Sequence, residues 1–99
     1  MSYKSIITYT KPNAEIALHT AADEYLNLID TYFDAGKITQ KPLLVTTEGG
    51  IKATYTTIFN SLGDHNEFVE ESLSIDNINR RKTYCTNNSI NIDIVVDAG

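Results

Sequence analysis

Tryptophan is absent, cysteine and methionine occur once each, proline occurs twice, and no long apolar run is present. Each scarcity excludes something. A single cysteine, Cys85, forms no intrachain disulfide and leaves a metal site of several thiolates without ligands; it fits a reducing compartment. A membrane span needs about 20 consecutive apolar residues, and no segment approaches that. The first residues, Met-Ser-Tyr-Lys-Ser-Ile-Ile, lack the apolar core of a secretory leader. Positive charge is also scarce: 8 Lys and Arg stand against 13 Asp and Glu, for a formal charge of −5. No general field draws such a chain to nucleic acid or to an anionic membrane. The expectation is a cytoplasmic protein without nucleic-acid or membrane partners.

What is present is the composition of a globular domain, 41% hydrophobic and 21% charged. That is too apolar for wholesale disorder. A chain of 99 residues makes one domain, 1–99, able to bury roughly two-thirds of its unfolded surface.

Residues 3–11 are rich in β-branched side chains and tyrosine and stop at Pro12, the pattern of a strand. Leu18, Ala22, Tyr25, Ile29 and Tyr32 or Phe33 then recur at helical spacing, which predicts one long helix over 14–35. Asn13 is its expected cap and Gly36 its expected C-terminal stop. Residues 41–47 and 51–59 read as two strands joined by a Glu48-Gly49-Gly50 turn, hence an antiparallel hairpin. Asp64 and Glu67 have the spacing of a capping box for a second helix carrying Phe68, Val69 and Leu73. Residues 76–88 read either as a further helix or as a short strand at 83–86. Ile90, Ile92, Ile94 and Val96 alternate in a last strand, 90–97. The order β-α-β-β-α-β is that of an α+β, ferredoxin-like fold, a four-stranded antiparallel sheet with its helices on one face.

Strand alternation assigns the two sheet faces. Tyr3, Ile7, Tyr9, Tyr55 and Phe59 belong to the core side. The open side collects Ile6, Thr8, Leu44, Thr46, Thr54, Thr56, Ile58 and Val95. This set is too apolar for a merely wet surface and too polar for a core, and it predicts a homodimer interface.

In element order, and in stretches such as "IKATYTTIFNS" followed by "HNEFVEES", the chain resembles the dimeric α/β-barrel superfamily. The resemblance implies two ferredoxin-like subunits packed sheet to sheet. Members include antibiotic-biosynthesis-type monooxygenases and haem-degrading proteins, whose catalytic residues diverge, so none is carried over. Fold alone does not fix function.

No residue cluster makes a convergent catalytic set. His19 with Asp23, and His65 with Asp64, Glu67, Glu70 and Glu71, lack the further placed ligands of a metal site and read as solvated helix faces. Cys85 reads as a half-buried structural thiol. Arg80-Arg81-Lys82 reads as a solvated surface with salt bridges. RNA recognition on the sheet is disfavoured, because Tyr3, Tyr9, Tyr55 and Phe59 fall on the core side. The reading is a homodimer that binds or scaffolds a small molecule or a protein, without cofactor or metal. Two alternatives stay open. One is a cofactor-independent monooxygenase-like enzyme with a pocket between sheet and helices, lined by Tyr9, His19, Tyr25 and Tyr55. The other is a phage or host-interaction protein using a strand edge or the acidic second helix.

Overall fold

Strand β1, Tyr3–Thr10, is the centre of the molecule, pairing antiparallel with strands on both sides. A computed structural model describes residues 2–98. Around β1 lie α1 (Asp23–Asp34), β2 (Ile38–Thr47), β3 (Lys52–Phe59), α2 (Leu62–Glu70), α3 (Ser72–Asn87) and β4 (Asn91–Ala98). The sheet order is β2-β3-β1-β4, with every neighbouring pair antiparallel. This is the ferredoxin-like arrangement, with the second helical layer divided in two. Among the described residues, no helix is long and apolar enough to cross a membrane.

The β2–β3 connection is a single 3-10 turn at Glu48–Gly50, in which Gly49 (φ 66°) and Gly50 (φ 88°) take the left-handed backbone that glycine adopts without steric cost. Gly36 (φ 77°) ends α1 in the same way, and the next amide, of Lys37, donates back to the Tyr32 carbonyl at 2.9 Å.

The long helix expected over 14–35 is shorter than that: α1 begins only at Asp23. Asn13 does not cap a helix. Its Oδ1 accepts from the Glu15 amide at 3.0 Å, a local turn that competes with helix formation. The Lys11 ammonium donates to the carbonyls of Ala14 (3.3 Å) and Ile16 (2.8 Å), and Tyr84 Oη donates to that of Ala17 (2.6 Å). Backbone groups that a helix would satisfy internally are satisfied by side chains instead. Residues 11–22 thus form a strap whose Ile16 and Leu18 pack against a core cluster of Tyr9, Cys85 and Ile90.

Ser61, not Asp64, caps α2: its Oγ accepts from the Asp64 amide at 3.1 Å. Glu67 is thereby free to meet Lys37 at 3.0 Å. Residues 76–87 are helical throughout, and Asn88 is the C-cap. A second cluster, Ile29, Tyr32, Ile38, Phe59 and Phe68, joins α1 and α2 to the other half of the sheet. Phe68 anchors it through edge and tilted ring contacts with Tyr32 (5.1 Å) and Phe59 (5.5 Å).

The face assignment holds on β1, β3 and β4 and needs correction on β2. Leu44 pairs with Tyr55 and Thr46 with Ala53, which places both on the helix side. Leu43, opposite Thr56, and Val45, opposite Thr54, take the open side. The register shifts twice between Ile38 and Leu43, around Pro42, which has no amide hydrogen for the ladder.

Candidate functional site

The sheet's helix side is uneven in a way the register makes plain. The Tyr3–Phe59 pair and the Ile7–Tyr55 pair are bulky, but the row between them is Thr57, Ser5 and Val96. Small side chains at the centre of a covered sheet leave space that the helices do not fill. A cavity of about 260 Å³ lies there. Ser5 and Thr57 form its floor, and Tyr25, Ile29, Phe68 and Val69 line it from α1 and α2. Exposed Ile94 and Val96 on β4 line it as well. His65 contributes its ring, fixed by tilted and edge contacts to Tyr3 (5.4 Å) and Phe59 (5.1 Å).

Helix α3 supplies the polar part. Its buried stripe is Ser74, Asn77, Arg81 and Cys85, spaced by three or four residues along one face. Leu73 and Ile75 of the same helix are exposed. Ser74 and Arg81 line the cavity, at 1% and 8% exposure. Ser74 Oγ, Asn77 Oδ1 and Arg81 Nε are all buried without a hydrogen-bond partner. The neighbouring Arg80 is exposed and pairs with Asp76 at 2.9 Å. The expectation of a solvated 80–82 cluster therefore holds for Arg80 and fails for Arg81, because successive residues of a helix point about 100° apart and Arg81 falls on the buried stripe. Cys85 is fully buried, and burial raises its thiol pKa against the opposing field of Arg81.

The predicted ligand-binding residues separate in space. Tyr25 lines the cavity. Tyr9 lies next to it against Arg81, with Tyr55 at its edge, ring centroids 5.9 Å apart. Burial raises the pKa of Tyr9 and of Tyr25, and the Arg81 charge opposes the rise in both. His19 is elsewhere, in a shallow surface hollow with Arg80, Tyr84 and Asn87, and burial lowers its pKa. No group of three or more His, Cys, Asp and Glu poised for a metal occurs among the described residues. Tyr32 and Tyr84, rather than Tyr25 and Tyr55, find hydroxyl acceptors within the protein, among the described residues.

On the open side the cross-strand rows are Leu43–Thr56–Ile6–Val95 and Val45–Thr54–Thr8–Asp93, with Ile58 in the next row. Leu43 and Val45 are 55% and 52% exposed. Among the described residues, no helix covers this face.

The sequence pattern does not single out Ser74 and Asn77, and it sets Arg81 on a solvated surface. Their signal was a run of polar residues at helical spacing opposite Leu73 and Ile75, legible only once the helix is known to face the sheet with its polar side.

No protein-family model matches the chain. No curated protein matches it. Two solved structures are similar in fold. Rv0793 from Mycobacterium tuberculosis superposes with a TM-score of 0.55 at 13% identity, over 98% of this chain and 94% of that one. A dimeric protein of unknown function and ferredoxin-like fold from Bacteroides fragilis gives 0.49 at 11% identity, over 98% and 96%. At such identities the likeness is one of architecture alone.

Proposed function

We propose that this protein is a homodimeric binding domain, and that its site is the cavity between the sheet and the helices. The cavity carries the reading. It is lined mainly by aliphatic and aromatic side chains, with a few polar groups converging from α3, the usual make-up of a small-molecule site. At about 260 Å³ it is smaller than most drug-sized pockets, so it suits a compact, largely apolar molecule. A cytoplasmic setting accords with the single, free and buried Cys85.

The test is calorimetric. Octanol serves as a neutral apolar probe, titrated into the wild type and into Ser5→Leu, which fills the floor. Saturable binding to the wild type and none to the variant supports the reading. Equal binding to both, or none to either, contradicts it.

The homodimer rests on the open face. Leu43, Val45, Ile6, Ile58 and Val95 present apolar surface there, and Thr8, Thr54 and Thr56 add hydroxyls able to pair across a two-fold axis. Face-to-face packing would bury this patch twice. A stable dimer requires on the order of 1,000 Å² or more in total.

A further inference from the structure

Arg81 is a buried cation with no anion opposite it among the described residues; its neighbour is the neutral hydroxyl of Tyr9. It is 92% removed from solvent, as its 8% exposure states, and its Nε has no partner. Among the described residues it forms no ion pair, although Asp and Glu outnumber Lys and Arg in the chain. The groups that feel its charge, Tyr9, Tyr25 and Cys85, are neutral residues whose burial favours their protonated forms. A buried charge without a counter-ion is costly, and a bound anion would neutralise it. Arg81 and Ser74 lie on one buried stripe of α3. Ser74 Oγ, also buried and unpartnered, lines the same cavity.

We infer that the cavity takes a carboxylate with an apolar tail, its head held by Arg81 and Ser74 and its tail lying over Ser5 and Thr57. This rests on the cavity being a ligand site. The planar guanidinium offers parallel N–H donors that match the two oxygens of a carboxylate, and the Ser74 hydroxyl donates a further bond. The Asn77 amide, one turn away, presents its oxygen or its nitrogen according to its rotation. A monoanion cancels the single buried charge. A phosphate dianion would leave a net negative charge in the same enclosure, which is why the carboxylate is favoured. The tail meets Ile7, Ile29, Phe68, Val69 and Ile94. The formal charge of −5 disfavours anions over the rest of the surface, so selective carboxylate binding would report on Arg81.

The experiment compares octanoate, octanol and octylamine, which share a tail and differ in head charge, on wild type, Arg81→Met and Arg81→Lys. Folding of each variant is checked by circular dichroism. Octanoate should bind the wild type at least about tenfold more tightly than octanol, and octylamine should bind worst. Arg81→Met should bind octanoate no better than octanol. Arg81→Lys, with its charge but without the fork, should keep a reduced preference, and it serves alone if the methionine variant does not fold. Octanol binding as tightly as octanoate, octylamine binding best, or a carboxylate preference unchanged in the variants overturns the inference and leaves the cavity reading standing. Failure of all three probes to bind the wild type overturns the cavity reading, and the inference with it.

Discussion

Tyr32 Oη donates a 2.9 Å hydrogen bond to Glu71 Oε2, tying the last turns of α1 to the single extended residue between α2 and α3. Glu71 has φ −61° and ψ 140°, which breaks what would otherwise be one helix. The break redirects the chain so that α3 lays Ser74, Asn77 and Arg81 against the sheet. The Tyr32–Glu71 bond therefore fixes the roof of the cavity.

Replacing Tyr32 by Phe removes that bond while keeping the ring that packs on Phe68. Stability should fall by about 1–2 kcal/mol, the range for a hydrogen bond to a partly exposed carboxylate. Urea unfolding measures it. A change under roughly 0.3 kcal/mol would mean that the α2–α3 break needs no tether.

Alkaline pH should destabilise the fold. Burial raises the pKa of Tyr9, Tyr25 and Tyr32, and Tyr32 is raised further by the Glu71 carboxylate. In the unfolded chain these phenols ionise near the ordinary value of about 10. Above that pH the folded state holds more protons than the unfolded one, so stability declines as pH rises. Absorbance titration should show Tyr9, Tyr25 and Tyr32 ionising above the ordinary phenol range, with the Phe variant at each position identifying its signal. Six phenols titrating together near 10 would contradict the burial of these three.

The strap over 11–22 should depend on Tyr84. Its hydroxyl holds the Ala17 carbonyl at 2.6 Å. In Tyr84→Phe, hydrogen exchange across 14–20 should accelerate while exchange in β1 stays slow. Unchanged protection in the strap would show that Ile16 and Leu18 hold it by packing alone.

Strand order, the hairpin, the C-terminal stop at Gly36 and the parity of β1, β3 and β4 were legible because alternation and glycine act locally. The helix start was not. Leu18 and Ala22 match a helical stripe, and only the strap contacts of Lys11 and Tyr84 reveal that Leu18 is buried from an irregular segment. Leu44 and Thr46 are expected on the open face and lie on the helix side, since β2 is apolar on both faces and its register shifts around Pro42. Ser5 and Thr57 share the strand parity of Tyr3, Ile7, Tyr55 and Phe59. That two small residues meet in one row there was the available sign of a cavity. Arg81 was hidden by its neighbours, because a three-residue basic run says nothing about which member turns inward.

Thr56→Arg places two cations near the two-fold axis of the proposed dimer, and it should leave the protein monomeric. Light scattering after size exclusion compares it with wild type at tens of micromolar. A monomeric wild type would contradict the dimer. Equal dimerisation of both would move the contact off the open face.

If the cavity is a ligand site, methyl-selective NMR during an octanol titration will show it. The resonances of Ile7, Ile29, Val69 and Ile94 should shift together along one saturating curve. Those of Leu43, Val45 and Val95, on the opposite side of the sheet, should not move. Shifts confined to the open face, or no saturable shift anywhere, would contradict it.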